Sequence, residues 1–270
     1  MRLAFISLML WVVAAVTAQA QTSALQELST GNDARGWEAV GRLDIDGKGF
    51  CTGALIAPDL VLTAAHCMYD KNGGDAVDTS RIQFLAGLRS GRPEASRSVR
   101  TAVIHPSYTH TGEATPAIVR YDVALLQLDR PIRSARIEPF AVSTSMRRGT
   151  EVAVVSYAQD RAEAPSLQEV CNVLGQQDSV LIMDCNVNFG SSGAPIFRYE
   201  NGIPRLVSVV SAMAELDGEK VALGMDLAEP IAVLRLALER GRWQFNTPPA
   251  TARVTRPGER ADTGALFVRP

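Results

Sequence analysis

Histidine is scarce in this chain. Three occur in 270 residues, His66, His105 and His110, and none lies beyond position 110. The scarcity excludes chemistry that needs a late histidine. A serine nucleophile in the order Ser, acid, His, as in α/β-hydrolases, is ruled out for any serine in the second half. There is no H-E-x-x-H and no C-x-x-C, so a zinc centre is not expected and no cofactor is implied. An excess of one charge is missing too. Lys plus Arg number 27 and Asp plus Glu 29, a formal net charge of −2. No basic patch points to nucleic acid, and no heptad or helical repeat is present.

Long apolar runs are also absent. The longest, residues 3–16, is shorter than the ~18 residues of a membrane span. It follows Arg2 and precedes the small-x-small site Ala18-Gln19-Ala20, which reads as a secretion signal cleaved after Ala20. That leaves no membrane segment and a secreted or periplasmic product. Four cysteines, Cys51, Cys67, Cys171 and Cys185, suit an oxidising compartment and allow three pairings.

What is plentiful is short apolar runs separated by Gly, Pro, Asp and Asn. Runs at 39–43, 53–56, 60–64, 82–86, 123–128, 152–156 and 206–211 have strand length and β-branched content. Such spacing predicts β-barrels, one over about 36–130 and a second over about 146–228. Pro230 opens a predicted helix over 230–240, with Ile231, Leu234 and Leu238 on one face and Gly241 at its end. Residues 21–35 read as a short leader or flexible N-terminus. Residues 246–270, rich in Thr, Pro, Ala, Arg and Gly, read as a mostly disordered tail.

Three motifs carry chemistry: Thr63-Ala64-Ala65-His66-Cys67, Tyr121-Asp122-Val123-Ala124-Leu125-Leu126, and Gly190-Ser191-Ser192-Gly193-Ala194-Pro195. Each alone has an ordinary reading: a buried histidine beside a cysteine, a turn cap, a flexible loop. Together they give His, then Asp, then Ser. In that order the chain, over about residues 36–241, resembles the trypsin/chymotrypsin-like serine peptidases, in particular their short bacterial secreted members. His105, in Val-Ile-His-Pro-Ser-Tyr, reads as structural, and His110 as a surface-loop residue.

The resemblance implies an all-β fold: two six-stranded antiparallel β-barrels of the chymotrypsin type, closed by a C-terminal helix. It implies that His66 is the base, Asp122 its orienting partner and Ser192 the nucleophile of a serine endopeptidase acting through an acyl-enzyme. It places the oxyanion hole at the N–H groups of Gly190 and Ser192. It pairs Cys51 with Cys67 and Cys171 with Cys185. It assigns the substrate pocket to Asn186 and Val187, and the edge that pairs with the substrate backbone to Ser211, Ala212 and Met213. A buried amide at Asn186 lacks the charge that holds Arg or Lys. The strand 206–213 lacks the histidine of glutamate-specific relatives. A neutral, partly apolar pocket follows, although Glu215, Asp217 and Glu219 lie close enough in sequence to leave a basic preference open. Digestive relatives carry Asp just before the nucleophile; Ser191 stands here, and no Ile-Val-Gly-Gly precedes Trp37. No N-terminal insertion switch is therefore expected. A protein or peptide is the implied partner, and a monomer the default state. A catalytically silent binding protein and an esterase on the same triad are the alternatives.

Overall fold

The computed structural model describes residues 22–70, 74–143 and 146–241, and the backbone of 245–246. The expected signal segment, and all of the expected tail except the backbone of residue 246, lie outside these residues.

Fourteen strands form among the described residues. They are β1 (Gln26–Glu27), β2 (Val40–Ile45), β3 (Gly49–Ala57), β4 (Leu60–Thr63), β5 (Ile82–Ala86), β6 (Ala95–Ile104) and β7 (Ala124–Leu128). After the connector come β8 (Glu151–Ala158), β9 (Arg161–Gln177), β10 (Val180–Met183), β11 (Pro195–Glu200), β12 (Ile203–Leu216), β13 (Glu219–Met225) and β14 (Phe245–Asn246). A short helix α1 (Pro116–Val119) precedes β7, and α2 (Ala228–Glu239) follows β13.

The strands pair antiparallel in two rings. β2-β3-β4-β7-β6-β5 closes on itself through β2–β5, and β8-β9-β10-β13-β12-β11 closes through β8–β11. Closure removes exposed sheet edges. Three hairpins of the second ring, β9–β10, β11–β12 and β12–β13, turn on pairs at positive φ: Asp178-Ser179, Asn201-Gly202 and Asp217-Gly218. Two left-handed residues match the twist of the flanking strands, so these short sequences fix the strand register.

Alternating residues point into each barrel. Leu43, Leu55, Val61, Phe84 and Leu126 fill the first, and Val154, Leu181, Met183 and Ile196 the second. Between the barrels, Trp37 lies 5.0 Å from Phe197 and 6.0 Å from Phe140, with Phe140 and Phe197 4.6 Å apart. This aromatic trio joins the N-terminal segment, the connector and barrel two. Pro230 falls in the first turn of α2, whose buried face carries Ile231 and Leu234.

The segment before Trp37 is built into the fold. β1 pairs with β9, at Gln26↔Leu167 and Glu27↔Ser166, and Leu28 and Ala34 are buried. Its sequence, short of apolar residues, does not announce this, because the strand is two residues long and borrows its partner from barrel two.

Candidate active site

His66 sits on a 3-10 turn, Ala65–Met68, directly after β4. The Cys51–Cys67 disulfide ties this turn to β3. Asp122 lies between α1 and β7, and its backbone N–H donates to Val119 at 3.2 Å. Its carboxylate grips His66 twice. Oδ1 accepts the backbone N–H at 2.8 Å, and Oδ2 lies 2.7 Å from Nδ1. The Asp122 side chain is 4% exposed and that of His66 26%, so water has little access to the carboxylate and more to the imidazole. With Nδ1–H donated to Asp122, the neutral ring presents Nε2 as its acceptor.

Ser211 adds a third donor to the carboxylate, the second at Oδ2. Its Oγ–H reaches Asp122 Oδ2 at 2.5 Å. The β12–β13 register shifts between Val210 and Ala212. This bulge frees Ser211 from the ladder and aims its side chain across the barrel interface.

Ser192 is held by its backbone. Its carbonyl accepts from Thr52 N–H at 2.8 Å, and Gly193 N–H donates to Val210 at 2.7 Å. Gly193 has φ +75°, and a Cβ there would collide with the Thr63 side chain and the Thr52 carbonyl, and lie 2.8 Å from Ala64 N. Only glycine lets the Ser192 turn approach the strand end that leads to His66. Gly190, at φ +97°, is pressed against the Phe50 ring in the same way. The Phe189 carbonyl accepts from Gln159 N–H at 2.7 Å. In a trans peptide the N–H points opposite to the C=O, so the Gly190 N–H is turned away from the β8–β9 turn. Among the described residues, neither the Gly190 nor the Ser192 N–H donates to a protein acceptor. Both remain available for an external oxyanion.

Ser191 is buried. Its Oγ donates to Tyr157 O at 3.3 Å and accepts the Asn188 N–H at 3.2 Å. A neutral serine thus closes the turn 188–191 without an ion pair.

The structure revises parts of the pocket reading. Asn186 is exposed rather than buried, and its backbone N–H donates to Gln168 Oε1 at 2.7 Å. Val187 is buried among barrel-two core residues. Ala212 and Ser211 line a cleft beside His66, whereas Met213, the next residue on the strand, faces the other side and is exposed. Glu215 pairs with Lys220 and Leu216 with Glu219. The hairpin therefore carries these acids outward, roughly 3.3 Å per residue beyond Met213. Phe189 is 65% exposed, a large apolar side chain on the nucleophile loop itself.

His110 has more to do than a surface-loop residue. Its ring stacks on Tyr69 at 4.3 Å, and Tyr108 Oη lies 3.1 Å from its Nδ1. Burial raises the Tyr108 phenol well above its ordinary range, and the charges of Asp122 and Tyr69 add to that, so the phenol keeps its proton. Burial also lowers His110, and the nearby His66 lowers it further, against an opposing effect of Asp122. A cleft of about 540 Å³ is lined by His66, His110, Glu113, Ile118, Val119 and Ala212 among others. The only sequence signal for it was the widened, Thr- and His-containing loop before Asp122. The candidate metal-ligand cluster, Cys51, His66 and Cys67, has both sulfurs consumed by the disulfide. Cys171 and Cys185 form the second disulfide, so both cysteines of each expected pair meet.

The comparisons with known proteins point to one family. A family model described as Trypsin matches residues 30–228. Serine protease SP24D of Anopheles gambiae is 34% identical over 53% of the chain and 49% of its own length. A glutamyl endopeptidase of Bacillus licheniformis is 28% identical over 56% of the chain and 46% of its length. The chain thus spans about half the length of these curated relatives. Among solved structures, a Glu endopeptidase in complex with MPD matches with TM-score 0.66 at 18% identity, over 80% of this chain and 96% of that one. An inactivated protease paralogue of the scabies mite matches with TM-score 0.62 at 15% identity, over 83% and 99%. Two closed barrels with His66, Asp122 and Ser192 at their junction, and a family match across both of them, have one meaning: this chain belongs to the trypsin family of serine proteases.

Proposed function

We propose that the chain is a secreted or periplasmic serine endopeptidase whose catalytic groups are His66, Asp122 and Ser192. The observation that carries this is the double grip of Asp122 on His66, at Nδ1 and at the backbone N–H. That grip fixes ring and tautomer before any substrate arrives. Ser192 Oγ attacks the scissile carbonyl carbon while His66 Nε2 takes its proton. The carbonyl π electrons move to oxygen, and the Gly190 and Ser192 N–H groups receive that oxyanion. His66 then gives the proton to the leaving amine as the C–N bond breaks. Water repeats the sequence on the acyl-enzyme and restores Ser192. Asp122, assisted by Ser211, stabilises the imidazolium throughout without taking the proton.

The substrate preference we infer is a neutral, apolar residue before the scissile bond. Two of the relatives are glutamyl endopeptidases by name. The strand facing that site here offers Val210, Ser211, Ala212 and Met213, with no cation to hold a carboxylate. Asn186, Val187 and Phe189 supply no charge either.

The test is hydrolysis of a peptide library over pH 5 to 9. Cleavage after apolar residues, rising with pH as a histidine general base requires and abolished in Ser192→Ala, is expected. Cleavage confined to Glu sites contradicts the preference, and a flat pH profile contradicts His66 as the base. The inactivated scabies mite paralogue shares the fold, so a silent binding protein is the second reading. Ester turnover without peptide turnover would indicate an esterase.

A further inference from the structure

The nucleophile loop is tethered to one strand, β9, by three consecutive residues. Asp184 accepts the Asn172 N–H at 2.5 Å and the Asn172 amide at 3.0 Å. Cys185 is disulfide-bonded to Cys171. Asn186 donates its backbone N–H to Gln168 Oε1 at 2.7 Å. The first two tethers are complete within barrel two, and the third is not. Gln168 is 3% exposed, and its amide nitrogen donates to the carbonyl of Ser23 at 3.0 Å. A backbone N–H can only donate and a carbonyl can only accept, so these two partners fix the amide's orientation.

Ser23 is itself placed by two bonds to Val170. Its N–H donates to the Val170 carbonyl at 2.8 Å, and its Oγ accepts the Val170 N–H at 2.9 Å. β10 pairs with β9 only from Val173 to Gln177, which leaves residues 166–170 of β9 unpaired on that edge. Residues 23–28 take this edge, through Ser23, through β1 and through Leu28 N–H to the Pro165 carbonyl at 2.9 Å. The chain near its N-terminus is therefore joined to the loop that carries Gly190 and Ser192 through one buried side chain.

We propose that residues 23–28 form a strap that holds the nucleophile loop in its competent shape, and that Gln168 is the positioning residue through which the strap acts. Gln168 touches no reacting atom. With the relay broken, the Asn186 N–H loses its acceptor and the loop samples open shapes. Substrate then binds only the competent fraction, so KM rises by the inverse of that fraction while kcat at saturation changes little. A substitution that merely unfolded part of the sample would instead lower kcat at constant KM. The kinetic half of this inference rests on the peptidase reading; the structural half does not.

The full chain is the material for the test, in four forms: wild type, Gln168→Leu, Ser23→Pro and the double variant. Ser23→Pro removes the Ser23 N–H and Oγ contacts to Val170 and leaves the barrel-two core untouched, so it carries the test if Gln168→Leu fails to fold. Two readouts are taken. One is hydrogen exchange of the amides in residues 186–191. The other is kcat and KM on an internally quenched peptide with an apolar residue before the scissile bond. Each single variant is expected to speed loop exchange about tenfold and to raise KM about tenfold, with kcat within about twofold, the scale of one lost buried hydrogen bond. The double variant is expected to match the worse single, since both cut one relay. Unchanged loop exchange, or effects that multiply in the double variant, overturns the strap. If wild type neither cleaves peptide nor labels at Ser192, the peptidase reading fails while loop exchange still decides the strap.

Discussion

At the scale of the residue, the site depends on a few contacts that tolerate little change. Ser211 Oγ donates to the same carboxylate oxygen that faces His66 Nδ1. Ser211→Ala leaves that buried oxygen one donor short. It is expected to lower kcat/KM roughly five- to tenfold, the value of one hydrogen bond to a charged group. Asp122→Asn removes the charge and the tautomer control together, and is expected to lower kcat on the order of 10⁴-fold, as such a change does in triads of this type. Equal losses in the two variants would contradict the ranking. Gly193→Ala faces a collision with the Thr63 side chain and Thr52 backbone as well as positive φ. It is expected to cost about 2–3 kcal/mol or more in denaturant unfolding. An alanine variant as stable as wild type would mean that the nucleophile turn is not pinned as described.

At the scale of the element, the two disulfides brace loops rather than barrels. Cys51–Cys67 closes a separation of 16 residues around His66. Replacing both by Ser is expected to cost about 3 kcal/mol of stability and to lower activity further by freeing the histidine turn. A second element-scale feature is the docking of α2 on barrel one. His105 is buried, stacks on Tyr121 at 4.6 Å and accepts the Ser107 N–H at Nδ1. Its Nε2 lies 3.5 Å from Glu229 on α2, too long for a good hydrogen bond. Burial lowers the His105 pKa, and the Glu229 charge opposes this only in part. The unfolded chain therefore takes up a proton near pH 6.5 that the folded chain refuses. The stability tied to neutral His105 is whole above about pH 6.5 and is lost as pH falls from there towards the lowered folded value. Urea unfolding at pH 7.5 and 5.5 is expected to show a smaller loss for His105→Gln than for wild type. A loss of equal size would assign the acid sensitivity to other groups.

The strands and the three motifs were legible because their signals are local: β-branched runs, Asn-Gly and Asp-Gly turns, and a histidine beside a cysteine. The run at 82–86 coincides with β5, and α2 begins two residues before its expected start. What was not legible depends on distant partners. β1 is two residues whose reason for being a strand is the open edge of β9, more than a hundred positions away. Asn186 is exposed and its backbone is hung from Gln168, a contact that no spacing rule encodes. His110 joined the cleft through stacking on Tyr69, which composition does not reveal.

At the scale of the whole molecule, the proposed catalytic groups belong to different barrels, so the proposed activity depends on how the barrels meet. His66 and Asp122 come from the first, and Ser192 and Ser211 from the second. One core cluster runs through both, with Tyr157, Phe197, Leu206 and Met225 of barrel two packed into it beside barrel-one residues. The account therefore expects a single unfolding transition in calorimetry. Trp37→Ala removes the largest member of the aromatic trio, and is expected to cost about 3–5 kcal/mol and to broaden or split that transition. Two separate transitions in wild type would mean that the barrels are independent.

Whether Ser192 is an activated nucleophile is decided by covalent labelling. The mature protein is treated with a fluorophosphonate probe, digested and mapped, with Ser192→Ala and His66→Ala as controls. The account predicts one labelled site, Ser192, with labelling lost in both variants. Folded, disulfide-intact protein that takes up no label at Ser192, or that labels equally well without His66, would contradict it.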